Sequence, residues 1–147
     1  MNVIDTRLPE MLRGPRALLG MFVGIPSPSL FEMCGHAGVY FVIIDNEHGP
    51  AGVESTEHML RAARASGVIP VVRTLEQDIL RVLDIGASAI QVPQVQTAGQ
   101  AKRIVAAAKY PPIGTRARRS RRALRVSVSS AGIGISPIRT QALPSSS

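Results

Sequence analysis

The sequence predicts an α/β fold: about four strand-then-helix units forming the N-terminal half of a (β/α)8 TIM barrel, followed by an irregular basic tail. Three observations carry this expectation. Short β-rich runs alternate with amphipathic helical stretches through residues 1–115, an order that gives a parallel sheet with right-handed crossovers. A complete barrel takes eight such units in typically about 250 residues, whereas this chain has 147. Charge then divides the chain in two. Residues 1–115 hold ten Lys or Arg and ten Asp or Glu, while residues 116–147 hold seven Arg and no acid. The net charge of +7 therefore belongs to the tail, and the boundary falls near Thr115.

The elements follow in order. Leu18–Phe22 is an apolar run closed by Gly24 and Pro26. Ser27 as N-cap and Pro28 at the first helical position start a helix that runs to about His36. Val39–Ile44 is rich in β-branched and aromatic residues, as expected of a strand buried on both faces. Gly49-Pro50 breaks the chain before a helix from about Glu54 to Ala65. Val68–Arg73 reads as the third strand and Gln77–Leu83 as a short helix. Ala87–Val92 is the fourth strand, and Thr97 caps a helix reaching about Lys109.

Composition excludes several functions. The chain has no Trp, three Phe and two Tyr, too few aromatics to build stacking platforms for single-stranded nucleic acid. A single cysteine, Cys34, rules out an internal disulfide and a multi-cysteine zinc or iron–sulfur site. Its place on the first helix reads as that of a small buried hydrophobe. His36 and His58 fit no compact zinc motif around His48. No GxGxxG follows the first strand, which argues against a dinucleotide-binding domain. Without a visible secretory signal or an apolar run near ~20 residues, a soluble cytoplasmic protein is expected.

Chemistry in parallel α/β folds collects where strands end and loops begin. The second strand is followed by Asp45-Asn46-Glu47-His48-Gly49-Pro50, the third ends on Arg73, and the fourth is followed by Pro93-Gln94. A carboxylate beside a histidine fixes its tautomer, and an arginine nearby can grip a carboxylate substrate with two prongs. The blander alternative is a helix cap at Asp45 and a surface ion pair. Acid, base and arginine gathered at adjacent strand ends favour a site. Glu47 fits either a site acid or a residue that orients the loop.

These stretches resemble the HpcH/HpaI aldolase family, metal-dependent pyruvate aldolases that cleave or form 4-hydroxy-2-oxo acids. The matching segments are Gly24-Ile25-Pro26-Ser27-Pro28-Ser29, Val42 through Pro50, Pro70-Val71-Val72-Arg73, Leu83-Asp84-Ile85-Gly86-Ala87 and Tyr110-Pro111-Pro112-Ile113-Gly114-Thr115-Arg116. The resemblance implies a lyase forming pyruvate and an aldehyde through a metal-stabilised enolate. It implies His48 as general base, Arg73 as the residue that binds the pyruvyl group and steadies the enolate, and Asp45 as the support of the site around His48. Asp84 would be the carboxylate that raises the basicity of the histidine. Asp84 ends a helix before the fourth strand, opposite His48, so any such pairing points to a neighbouring subunit and a homo-oligomer. The only lysines, Lys102 and Lys109, lie away from strand ends, which favours a divalent cation (Mg²⁺, Mn²⁺ or Co²⁺) over a Schiff base as electrophile.

The family's metal ligands, a Gln-x-Glu segment and a later Asp, would lie beyond the matching region. Here Arg116 is followed by Ala117-Arg118-Arg119-Ser120-Arg121-Arg122 and finally by Ser145–Ser147, with no acid. Metal binding by this chain is accordingly doubtful, and the tail at 116–147 reads as disordered or translated out of frame. The alternative function is a non-catalytic remnant whose basic tail meets anionic partners without specificity. No specific nucleic acid and no membrane is expected as a partner.

Overall fold

In a computed structural model the alternation of the first 115 residues becomes a four-stranded sheet, parallel throughout, with strand order β1-β2-β3-β4. The structure describes residues 5–117, and the backbone of two further strands at 124–129 and 132–137. The strands are β1 (Gly20–Val23), β2 (Phe41–Asp45), β3 (Ile69–Arg73) and β4 (Ala89–Gln91). Helices α2 (Pro28–His36), α3 (Val53–Ser66), α4 (Ile79–Asp84) and α5 (Ala98–Ala108) follow them one by one. Each strand-then-helix unit of the sequence reading is present.

Local chemistry sets the boundaries. Pro28 opens α2 behind Ser27, although the Ser27 side chain makes no capping bond. Thr97 does cap α5, its hydroxyl accepting the Gln100 N–H at 3.1 Å. Helix α3 ends at Gly67 with φ +80°, the left-handed turn that glycine takes without strain. Strand β4 is shorter than the expected Ala87–Val92. Pro70 has no N–H to donate, and pairing with β4 starts one residue beyond it, at Val71 opposite Ala89.

The period of two along each strand sorts side chains onto two faces. Val23, Val42, Ile44 and Val72 pack against Phe31 and Cys34 of α2, Met59, Leu60 and Ala63 of α3, and Val82 of α4. Phe31, Met59 and Leu60 are fully buried, each contributing about 1.5–3 kcal/mol. On the other face Ile69 and Val71 are buried with Leu8, and Phe41, Ile43 and Ala89 pack around them. Strand β2 departs from the expectation of burial on both faces: Val42 and Ile44 are buried, but Phe41 and Ile43 are only half-buried. Helices α2, α3 and α4 pack on the first of these faces.

A helix the sequence reading did not include, α1 (Leu8–Arg13), precedes β1 and puts Leu8 beneath Ile69 and Val71. The chain divides into two compact units, 1–117 and 118–147. Within the second, β5 (Leu124–Ser129) and β6 (Gly132–Pro137) form an antiparallel pair. Val126 and Val128 stand opposite Ile135 and Ile133, and apolar residues alternating on both strands are a strand signal. The remaining tail residues, 118–123, 130–131 and 138–147, lie outside the described residues. Among the described residues no helix is long and apolar enough to cross a membrane.

Candidate active site

The parallel register pairs Asp45 with Arg73, the last residues of β2 and β3. Both continue the face that carries Phe41, Ile43, Ile69 and Val71, so their side chains emerge together at the strand ends. Arg73 donates from Nε to Asp45 Oδ1 at 2.8 Å and from Nη2 to Oδ2 at 2.5 Å. This two-pronged pair is the strongest form of arginine–carboxylate contact. Asp45 Oδ1 also accepts the backbone N–H groups of Glu47 at 3.0 Å and His48 at 3.2 Å. The acid thus fixes both the arginine and the turn that carries the histidine.

Electrostatics follow from those contacts. The Arg73 hydrogen bond holds the Asp45 carboxyl down at about 2, with the His48 and Glu47 N–H groups adding to it and burial opposing. In turn, the Asp45 partnership raises Arg73 above its ordinary value. Asp45 is an anion, and Arg73 a cation, across the working pH range. With Nε and Nη2 committed to Asp45, Nη1 has no hydrogen-bond partner among the described residues.

The turn after β2 is tightly wound. A side chain on Gly49 would meet the Asp45 carbonyl oxygen at 2.2 Å, so only glycine fits there. Asn46 donates its N–H to the Arg73 carbonyl at 2.9 Å. Its side-chain oxygen accepts the Thr56 hydroxyl at 3.1 Å, which ties the turn to α3.

Glu47 is the surprise of the cluster. Its side chain is only 6% exposed, with Oε2 3.4 Å from Arg73 Nε and Oε1 3.6 Å from His48 Nε2. Gln94, beyond β4, donates to Oε1 at 3.2 Å. The His48 side chain is 72% exposed and faces any molecule that arrives. Phe22, from the end of β1, sits under the Arg73 guanidinium at 5.2 Å. Four strand ends therefore contribute, one side chain or more each.

Of the residues picked out in the sequence, the structure brings Asp45, Glu47, His48 and Arg73 together and leaves Asp84 apart. Asp84 ends α4, just before β4 enters the sheet, hence at the other end of the strands. It accepts from Arg116 Nη2 at 2.9 Å, and Arg116 in turn lies over the Tyr110 ring at 4.7 Å. Lys102 lies within α5 and Lys109 just follows it, away from the cluster. Cys34 is buried in the core, and His36 and His58 are exposed. Sequence reasoning gave no role to Gln94 or Phe22. Their position at or just beyond the end of a strand was the available signal.

Comparison with known proteins fits this geometry. The family model described as HpcH/HpaI aldolase/citrate lyase matches residues 18–139. A hydroxypyruvate/pyruvate aldolase of Deinococcus radiodurans is 41% identical over 119 residues, 79% of this chain and 43% of that protein. A 4-hydroxy-2-oxovalerate aldolase of Novosphingobium aromaticivorans is 38% identical over 118 residues, covering 78% of this chain and 45% of its own length. Among solved structures, an HpcH/HpaI aldolase/citrate lyase family protein from Burkholderia cenocepacia J2315 superposes with a TM-score of 0.72 at 31% identity. That match covers 78% of this chain and 48% of the other. The chain thus spans a little under half the length of these relatives. A half-barrel sheet, a charged cluster at its strand ends and this agreement along most of its length place the chain in the HpcH/HpaI aldolase/citrate lyase family.

Proposed function

We propose that the described cluster is the pyruvate-handling part of an aldolase site, acting on 4-hydroxy-2-oxo acids. The observation that carries the reading is Arg73, locked to Asp45 along one edge and open at Nη1, beside an exposed His48. A 2-oxo acid offers a carboxylate and a ketone oxygen to that open edge. His48 takes the proton from the C4 hydroxyl, the C3–C4 bond breaks, and the aldehyde carbonyl forms. The electron pair passes through C3 onto the ketone oxygen as an enolate, which the Arg73 cation stabilises where charge develops. A proton delivered to C3 then releases pyruvate.

The resemblance also implies a divalent cation, which would supply an electrophile at the ketone oxygen. Among the described residues no three His, Cys, Asp or Glu side chains are placed to hold one. The cluster by itself does not fit a metal, and no step above passes through one. A homo-oligomer in which Asp84 serves a neighbouring subunit would first require its pair with Arg116 to open.

The test is a retro-aldol assay on the full chain with a 4-hydroxy-2-oxo acid and, in turn, Mg²⁺, Mn²⁺ and Co²⁺. Pyruvate release that disappears in His48→Ala and Arg73→Ala is expected. A folded chain that releases no pyruvate with any of the three ions overturns the proposal.

A further inference from the structure

Gln94 holds a backbone conformation that its side chain does not favour. Its φ is +57°, in the left-handed region that glycine enters freely and other residues enter at a cost. Such outliers mark places where the side chain or the turn serves a purpose beyond stability. Gln94 lies three residues beyond β4, after Pro93, and the left-handed turn brings its amide back across the strand ends to Glu47 Oε1. This contact joins positions 47 residues apart in the chain.

What Gln94 touches explains why the contact matters. Glu47 is a nearly buried carboxylate with one oxygen near Arg73 Nε and the other near His48 Nε2. A carboxylate free to turn in that spot would be drawn to the strongest cation present, the Arg73 guanidinium, whose Nη1 is open. Glu47 would then occupy the edge that an anionic ligand needs. Gln94 supplies a neutral donor on the opposite side and keeps Oε1 turned away from that edge.

We propose that Gln94 is a positioning residue, which by holding Glu47 keeps the open edge of Arg73 free for the carboxylate of a 2-oxo acid. The inference rests on the reading of Arg73 as the pyruvyl-binding residue. It gives the site a gate made of one neutral and one charged side chain, with no moving loop.

The probe is oxalate, a two-carbon dianion shaped like the enolate of pyruvate, titrated into the full chain. Binding is followed by the Arg73 Nε–H resonance in ¹H–¹⁵N spectra. Gln94→Gly is the informative variant because glycine suits φ +57°, so folding is not compromised and a thermal melt confirms it. Oxalate affinity should fall about tenfold in Gln94→Gly, equivalent to about 1.4 kcal/mol. It should return to within about twofold of the parent in Gln94→Gly/Glu47→Gln, because the competing charge is gone and the two residues act as one unit. Parent-like affinity in Gln94→Gly overturns the inference and leaves the Arg73 reading standing. A loss that Glu47→Gln fails to restore also overturns it, since Gln94 would then act without Glu47. Absence of oxalate binding by the parent chain overturns the Arg73 reading and this inference together.

Discussion

Two arginine–aspartate pairs stand at opposite ends of the same sheet and serve opposite ends. Arg73 and Asp45 close β3 and β2, with Glu47, His48 and Gln94 gathered round them and one guanidinium nitrogen open. Arg116 and Asp84 meet where the strands begin, with the Arg116 side chain 8% exposed and covered by the Tyr110 ring. There the Arg116 Nε is buried without a hydrogen-bond partner among the described residues, and no His of those residues joins the pair. The same two functional groups leave an open guanidinium nitrogen in one place and make a clasp between α4 and the 109–116 segment in the other. Neighbouring groups, more than the pair itself, decide which.

The most direct way to break this comparison is to remove each arginine. Arg73→Ala should lower turnover in the retro-aldol assay by about 10²–10³-fold, the usual cost of losing a donor to a developing oxyanion. The chain should remain folded by circular dichroism. An equal loss of turnover in a folded Arg116→Ala chain would show that the two ends are not separable.

Removing the acid from the clasp should act on stability instead. Asp84→Ala leaves the Arg116 cation buried against Tyr110 without its counter-charge. Fully buried pairs lose about 3–5 kcal/mol in that way; with Asp84 22% exposed, about 2 kcal/mol is expected in urea denaturation. A change below about 0.5 kcal/mol would make the clasp no stronger than a surface pair.

Acid titration sharpens the other end. Asp45 has its carboxyl lowered from 3.8 to about 2, so between those values the folded chain binds fewer protons than the unfolded one. The contribution of Asp45 to stability is therefore complete above pH 3.8 and lost as the pH falls through about 2. Denaturation midpoints measured from pH 5 down to ~2 should fall less steeply in Asp45→Asn than in the parent. Superimposable curves would contradict the assigned partnership.

The smallest effect sets the floor. Glu57 and Arg61 form an exposed pair one turn apart on α3, at 2.6 Å. Glu57→Ala should cost no more than about 0.5 kcal/mol and less in high salt. A larger loss would mean that contact distance alone governs these pairs, and that burial and neighbours do not.

How much of this was legible in the chain depends on how local each feature is. Pro28 behind Ser27 and Thr97 before Ala98 mark helix starts that the structure reproduces, because capping and proline geometry act within one turn. Strand ends shifted by up to two residues where pairing partners decide them, as Pro70 does for β4. Helix α1 escaped notice because it has six residues, and its reason to exist is Leu8 against Ile69 and Val71, some 60 positions along. Asp45, His48 and Arg73 could be picked out because strand ends are where parallel folds gather chemistry. Glu47 could not be resolved, since its burial is made by Arg73 and Gln94, both remote in sequence. Asp84 was placed correctly at the far end of the strands, but its partner Arg116 was visible only in three dimensions.

Gly49 has a consequence for how this turn can change over time. Because the Asp45 carbonyl leaves no room for a side chain on Gly49, the segment from acid to histidine is a closed ring of fixed circumference. Inserting or deleting one residue within it cannot be absorbed as slack; it would reopen the ring and carry His48 away from Arg73. Substitutions that keep the count can alter reactivity step by step, whereas a change of length forfeits the arrangement at once. The spacing Asp45 to Gly49 thus behaves as a gauge: sequences that keep it can build this corner, and those that gain or lose a residue must solve the geometry anew.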